Sequence, residues 1–317
     1  MGLALNRNIG DPIVRGMLLQ IGERMMVFRS LQFVPGNRQN MLDKARIFKS
    51  DALVLDLEDS VPTKEKDTAL SMVVPMIKTL SELGHVVFVR LNSFNSGRIR
   101  KELEAVVCNE LYGISLGKVN SSWHVIECHK LLSEIEIDRG LETGKVKVIP
   151  WIESAEAVLN VRCVSNISDR VIALAFGGED FTNDMGIRRS YDGDELMIPK
   201  TIVSMAATAS GIPALDTPFV NFRDLNGLRE ECNRSANLGY KGKFSIHPGQ
   251  LEVINEVFSP GSEDVVYARR VVAAWNEAEA KGLGSLELDG AMVDIPVVKR
   301  AEALLRSLES IEQRESR

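Results

Sequence analysis

Short apolar runs recur along the chain, and each closes on a glycine, a proline or a charged residue. Phe28 to Val34 is the first and stops at Pro35-Gly36-Asn37, where Asn37 is placed to cap a helix running to about Ile47. Ala52 to Leu57 runs into Glu58-Asp59, and a Lys- and Met-bearing helical stretch follows. Val86 to Leu91 carries Arg90 near its end and stops at Asn92; Gly113 to Leu116 stops at Gly117-Lys118. Lys145 to Trp151 leads to Glu153, and Arg170 to Phe176 leads to Gly177-Gly178-Glu179-Asp180. Pro213 to Leu215 is a weak seventh run ending at Asp216, and Lys241 to Ile246 ends at His247-Pro248. Runs of this length without polar alternation read as strands covered on both faces.

Helical patterns separate most of these runs. Eight strand–helix units within roughly 230 residues predict a (β/α)8 TIM barrel over residues 28–258. An open doubly wound sheet is the alternative, but its first strand would lead into Gly-x-Gly-x-x-Gly, which Pro35-Gly36-Asn37 is not. Residues 259–317 predict a C-terminal helical lid: a helix from about Glu263 to Lys281, a Gly-rich turn, and a last helix to about Leu308. Residues 1–27 mix arginines with Asp11 and Glu23, lack a secretory apolar core, and read as a disordered leader or an over-long start.

Composition narrows the class. The 317 residues are 44% hydrophobic and 26% charged, which predicts a soluble globular protein. No run approaches the ~20 apolar residues of a membrane span. A net charge of −6 argues against general nucleic-acid binding. Cys108, Cys128, Cys163 and Cys232 are far apart without a Cys-x-x-Cys pair, so they read as free thiols in a reducing, cytoplasmic setting.

Active sites of such barrels lie at the carboxyl ends of the strands. Those ends carry Asp56, Glu58, Asp59, Arg90, Lys118, Glu153, Glu179, Asp180, Asp216 and His247. One charge there is expected by chance; this many predict a charged mouth. Mostly acidic with a few cations, it suits a divalent metal and an anionic substrate together. With no His pair at ligand spacing, hard oxygen donors point to Mg²⁺ or Mn²⁺ rather than zinc. The two glycines before Glu179 suggest a turn that only glycine makes easily.

Six motifs then appear in order: Arg29-Ser-Leu-Gln-Phe-Val-Pro-Gly-Asn37, Leu55-Asp-Leu-Glu-Asp59, Val89-Arg-Leu-Asn92, Ile152-Glu-Ser154, Phe176-Gly-Gly-Glu-Asp180 and Ser245-Ile-His-Pro248. Together they resemble the citrate lyase β-subunit-like family of the HpcH/HpaI aldolase superfamily, over residues 28 to 308. The resemblance implies a Mg²⁺-dependent barrel that makes or breaks a carbon–carbon bond next to a carboxylate. It implies Glu153 and Asp180 as metal ligands, Arg90 as the arginine on substrate oxygens, and Gly178 and Glu179 beside the substrate. It implies coenzyme A contacts at Ile246 and His247, with Phe33, Lys44 and Lys66 toward the nucleotide end. The anionic end of coenzyme A needs cations outside the acidic mouth, and Arg29, like Lys44 and Lys66, lies in an early segment that could supply one. Glu58 and Asp59 would orient Arg90 or metal-bound waters, or else form a polar rim. The family's usual Pro-Lys is Gly117-Lys118 here, which leaves Lys118 without an assigned role.

Leu288-Asp-Gly-Ala-Met-Val-Asp-Ile-Pro296 resembles the lid of malyl-CoA and citramalyl-CoA lyases, which implies Asp294 as general acid/base and a lid closing over a neighbouring subunit. The residues alone also fit Asp294 as a helix cap with Pro296 in the first turn, and Asp289 is a local competitor. The implied partners are a CoA thioester and further copies of this chain, a homotrimer by the family's habit, with no nucleic acid or membrane. The expected reaction is cleavage of (S)-citramalyl-CoA to pyruvate and acetyl-CoA. Malyl-CoA is its rival, and a citrate lyase β subunit acting on a citryl thioester of an acyl carrier protein is a second alternative. A silent scaffold is a third, against which the Arg90, Glu153, Asp180 and Asp294 set argues.

Overall fold

The computed structural model describes residues 27–315; the expected leader falls on residues outside these, apart from Val27. The barrel strands are β1 (Ser30–Pro35), β2 (Ala52–Asp56), β3 (Val87–Leu91), β4 (Gly113–Leu116), β5 (Lys147–Ile152), β6 (Leu174–Phe176), β7 (Ala214–Asp216) and β8 (Gly242–Ser245). They pair in parallel in sequence order, and β8 closes on β1 with Leu31 opposite Phe244. The helices between them are α1 (Gln39–Lys44), α2 (Lys66–Glu82), α3 (Ile99–Val106), α4 (Ser122–Asp138), α5 (Ala155–Ser165), α6 (Gly178–Asp184), α7 (Asp194–Ala209) and α8 (Leu225–Asn237). After β8, α9 (Leu251–Val257) leads to an arm of α10 (Ser262–Ala280), a hairpin of β9 (Leu286–Leu288) and β10 (Ala291–Val293), and α11 (Ile295–Glu315).

Side-chain parity explains the uninterrupted apolar runs. Ala52, Val54, Phe88, Ile149, Trp151, Ala173, Ala175, Leu215 and Phe244 form the core within the barrel. The alternate residues Leu53, Leu55, Val87, Val89, Leu91, Val148, Ile152, Leu174 and Phe176 join the core under the helices. Both faces are buried, so both parities are apolar. The inward series then changes chemistry at the carboxyl ends: Val54 is followed by Asp56, Phe88 by Arg90 and Trp151 by Glu153.

Local expectations differ at several points. Arg38, not Asn37, precedes α1, without a side-chain cap; Asn37 instead donates to Glu65 at 2.6 Å. The regular part of β6 is only Leu174–Phe176, with Val171 held by an isolated bridge to Val148. The Gly-rich turn of the C-terminal segment is a β-hairpin. Its two-residue turn is Asp289-Gly290, both at positive φ (54° and 80°), the conformation that favours Asp-Gly between paired strands.

The arm has its own small core, in which Ala268 and Val271 of α10 meet Val293, Val298 and Ala301. An ionic cluster at the amino-terminal end of the barrel ties down its root. Asp51 accepts from Arg29 Nη2 at 2.8 Å and lies 2.8 Å from Arg314 Nη1, while Glu315 pairs with Arg29 at 3.0 Å. Arg314 also lies over the Phe28 ring. The arm is therefore a lid-like extension rooted at the closed end of the barrel. Asp294 stands at its other end, roughly 30 Å along α11 at 1.5 Å per residue. Among the described residues no helix is long and apolar enough to cross a membrane.

Candidate active site

Arg90 is the centre of the mouth. Its fork engages Asp56 twice, Nε to Oδ1 at 2.7 Å and Nη2 to Oδ2 at 2.6 Å. Nη1 reaches Asp59 at 2.9 Å and Glu58 at 3.6 Å. The guanidinium sits 4.7 Å over the ring of Phe33, which stacks on Phe244 inside the barrel. Burial alone would favour neutral arginine, but Asp56, Glu58 and Asp59 outweigh it and hold Arg90 above its usual range. Burial would also raise Asp56, but the Arg90 charge and hydrogen bonds bring it below the normal carboxylate range. Glu58 goes the other way: burial, reinforced by Asp59 and Asp56, raises it. Glu58 and Asp59 thus both lie within ion-pair distance of Arg90.

Glu153 follows β5 and Asp180 is the third residue of α6, after β6. Burial first, then the charges of Asp180 and Glu58, push the Glu153 carboxyl up to about 8. Burial and the charge of Asp59 raise Asp180 as well. The backbone N–H of Lys118 donates to Glu153 Oε1 at 2.5 Å and fixes its orientation. Gly177 is needed for room rather than for an unusual turn. Its φ of −108° suits any residue, but a Cβ there would lie 2.6 Å from Glu153 Oε2. Gly178 starts α6, and its N–H donates to Thr217 Oγ1 at 3.0 Å. A cation beside these carboxylates would offset both the burial and the surrounding negative charge that raise them. Among the described residues no group of three or more His, Cys, Asp and Glu side chains is arranged to hold a metal. Two carboxylates with open positions for water and substrate fit the binding habit of Mg²⁺.

Lys118 is the second cation of the mouth. It follows β4 at φ +56°, in the left-handed region. Its Nζ lies 3.4 Å from Glu58 Oε1 and 3.5 Å from Asp59 Oδ1, with the side chain 42% exposed. Gly117 leaves space for Glu58, whose Oε2 would be 2.7 Å from a Cβ at that position. Burial opposes the charged form of Lys118, but Glu58, Asp59, Asp180 and Glu153 together raise its pKa.

Other expected site residues lie elsewhere. Asp216 has the opposite parity to the inward Leu215 and points out of the barrel. There it joins Lys243 at 2.6 Å and Lys200 at 2.7 Å, and Lys243 also meets Glu231 at 2.5 Å. Glu179 is exposed on α6 and paired with Arg189, which extends to Glu231 at 3.4 Å, so its carboxylate faces the α6–α7 loop. Lys66 is buried and donates to the carbonyls of Leu57 (2.8 Å) and Glu58 (2.6 Å), so it braces the end of β2 rather than offering a surface charge. Arg29 belongs to the root of the arm, at the end of the barrel opposite the mouth. Phe33 lies under Arg90 in the barrel interior, not on an outer face. Lys44, Ile246 and His247 are exposed. His247 Nδ1 accepts from the Gly249 N–H at 3.1 Å and its ring stacks 4.9 Å from Phe222. Asp294 is half-buried, and Oδ1 accepts from the Val297 N–H at 3.3 Å, a cap on α11. Asp289, its competitor, is a turn residue paired with Arg270 at 2.6 Å.

Barrel and mouth together define a class: a TIM-barrel enzyme with acidic, metal-fitting strand ends around a buried arginine. A profile of the family described as HpcH/HpaI aldolase/citrate lyase matches residues 29–248, and the chain belongs to that family. It is a carbon–carbon lyase of the family. The citrate lyase subunit beta of Leuconostoc mesenteroides subsp. cremoris is 36% identical over 278 residues, 88% of this chain and 92% of that one. The mitochondrial citramalyl-CoA lyase of Homo sapiens is 29% identical, covering 90% of this chain and 87% of that one. The crystal structure of CitE from Mycobacterium tuberculosis, in complex with magnesium, acetoacetate and coenzyme A, superposes with a TM-score of 0.71 at 26% identity, covering 90% of this chain and 100% of that one. The higher identity lies with the citrate lyase β subunit, against the expected order. An alignment of 278 residues is longer than the 258 that precede the arm. It must enter the arm, so the presence of an arm does not separate the two kinds of lyase.

Proposed function

We propose that the chain cleaves 3-carboxy-3-hydroxyacyl thioesters with Mg²⁺, giving a 2-oxo acid and an acetyl thioester. The observation that carries this is the pair Glu153 and Asp180, raised by burial and by surrounding negative charge, beside the Arg90–Asp56 fork. The magnesium and coenzyme A in the Mycobacterium tuberculosis CitE complex support the cofactor and the thioester.

Glu153 and Asp180 are the residues that would hold the cation. When bound, it supplies positive charge and coordination sites for the carboxylate and hydroxyl of the substrate. Asp56 locks the Arg90 fork at the end of β3, and Arg90 stabilises the negative charge that develops on oxygen as the bond to the thioester α-carbon breaks. The substrate hydroxyl releases its proton to solvent as its carbon becomes the carbonyl of the 2-oxo acid, and the α-carbon leaves as a thioester enolate that must gain one proton. Asp294 is the proposed donor, delivered by the arm, and it takes a proton from the acetyl thioester in the reverse direction. Ile246 and His247, exposed after β8, are proposed for the thioester's pantetheine arm, and exposed Lys44 for its anionic end.

Among substrates of this class the carbinol carbon bears hydrogen (malyl), methyl (citramalyl) or carboxymethyl (citryl). The 36% identity to a citrate lyase β subunit favours the citryl thioester. The Met292-Val-Asp-Ile-Pro296 stretch favours citramalyl-CoA as the second reading. The test is to offer purified protein malyl-CoA, citramalyl-CoA and citryl-CoA with Mg²⁺ or EDTA, and to assay 2-oxo acid and acetyl-CoA. Mg²⁺-dependent release from at least one thioester is expected; release from none, or equal release in EDTA, overturns the reading.

A further inference from the structure

The reaction class leaves open which residue distinguishes a substrate carrying an extra carboxylate from one carrying a methyl. We infer that Lys118 is that specificity residue, an ammonium that receives the free carboxylate of a carboxymethyl group on the carbinol carbon. This rests on the lyase reading above.

Three observations carry the inference. First, the other nearby cations are committed. Arg90 commits its fork to Asp56 and Nη1 to Asp59. Lys66 is buried on two carbonyls, Lys200 and Lys243 lie behind the barrel wall with Asp216, and Arg189 bridges Glu179 and Glu231. Lys118 alone among these is half-exposed with only long contacts, 3.4 and 3.5 Å, against about 2.7–2.9 Å for a well-formed charged hydrogen bond. It has donors to give.

Second, the placement is costly to the backbone. A lysine at φ +56° sits in the left-handed region, where its Cβ crowds the following carbonyl. The conformation aims its N–H at Glu153. Glycine or asparagine would do that backbone task at lower cost. The lysine side chain therefore has a use of its own, and it ends among Glu58 and Asp59.

Third, charge balance demands a receiver. Among the described residues, Asp56, Glu58, Asp59, Glu153 and Asp180 meet Arg90 and Lys118 at the mouth and the buried Lys66 behind it. A divalent ion brings the formal charge of this group to zero, and the substrate's own α-carboxylate then makes it negative. A second free carboxylate entering that field is repelled unless a cation meets it, whereas a methyl group has no such need.

The experiment compares wild type, Lys118→Met and Lys118→Arg, all with Mg²⁺. One arm measures kcat/KM on citryl-CoA and citramalyl-CoA. The other measures affinity for oxaloacetate and for pyruvate by calorimetry, which needs no turnover. Both variants share the wild-type backbone demand, and thermal melts check that they fold. Lys118→Met is expected to cut the citryl-to-citramalyl ratio about 10- to 100-fold, the loss of one charged hydrogen bond. It should cut the oxaloacetate-to-pyruvate affinity ratio similarly, and Lys118→Arg should keep most of both. A wild type that prefers citramalyl-CoA overturns the assignment, as does a Lys118→Met ratio within twofold of wild type. If wild type cleaves neither of these thioesters nor malyl-CoA, the lyase reading fails separately. The oxaloacetate-to-pyruvate affinity ratio then decides Lys118: a tenfold fall in Lys118→Met upholds it and an unchanged ratio overturns it.

Discussion

Replacing Glu153 by glutamine should make the metal-free protein more stable as pH rises, although Glu153 is deep in the mouth. The Glu153 carboxyl titrates near 8 in the fold, against 4.5 for an ordinary glutamate. A carboxyl whose folded pKa is raised contributes stability that is complete below the unfolded value and lost as pH climbs through the folded one. Between pH 4.5 and 7 the unfolded chain has released this proton and the folded chain still holds it. At about 1.36 kcal/mol per unit, wild type should lose about 3 kcal/mol relative to a neutral amide over that span. Glutamine keeps an oxygen to accept from the Lys118 N–H, so the hydrogen bond at 2.5 Å has a counterpart.

The assay is thermal melting of both proteins in EDTA from pH 4.5 to 8. The gap between their melting temperatures should widen in favour of Glu153→Gln by several degrees, since about 1 kcal/mol moves a domain of this size by a few degrees. Above pH 8 it should stop widening. Adding Mg²⁺ at pH 7.5 should raise the wild-type melting temperature; at a hundred times Kd the gain is about 2.7 kcal/mol. Glu153→Gln should gain much less. Parallel pH curves in EDTA would refute the burial argument. Equal Mg²⁺ stabilisation of both proteins would remove Glu153 from the metal site.

Most of the barrel could be read from the chain because burial on both faces leaves a strong signal, an apolar run with no polar gaps. Strand bounds are harder: regular β5 starts at Lys147 rather than Lys145 and regular β6 at Leu174 rather than Arg170, because pairing across the barrel rather than composition decides where a strand begins. The β9–β10 hairpin carried its own mark in Asp289-Gly290, but its strands are only three residues long, too short for alternation to show. Arg90, Glu153 and Asp180 are legible in the sequence as strand-end charges that lie at the mouth, Asp216 lies outside it, and one rule separates them. Alternate residues of a strand face opposite ways, so once Leu215 is inside, Asp216 must be outside. The same parity, carried from Val54, puts Asp56 inside and would have revealed it as the holder of Arg90. Lys66 and Arg29 show the opposite limit. A lysine that reaches two carbonyls nine and eight residues back, or an arginine tied to Asp51 and Glu315, looks in sequence like any surface cation. Only the packing decides that they are already engaged.

Two further outcomes follow from the same geometry. Arg90→Lys retains charge but cannot span both oxygens of Asp56, so kcat/KM in the thioester assay should fall at least tenfold; near-normal turnover would move Arg90 to a structural role. The last concerns Asp294, which caps α11 at the far end of the arm. Asparagine caps a helix about as well as aspartate, so Asp294→Asn should change stability by less than about 1 kcal/mol. If its carboxyl is the proton donor, kcat should fall by on the order of 10²–10⁴. The variant should also fail to exchange the methyl protons of acetyl-CoA with deuterated solvent in the presence of a 2-oxo acid. The arm is rooted at the closed end of its barrel and places Asp294 roughly 30 Å from that root along α11. If this end serves a neighbouring copy, mixing Asp294→Asn with Asp180→Asn protein should restore activity that neither has alone. Wild-type turnover and exchange in Asp294→Asn would leave the residue as a cap and nothing more.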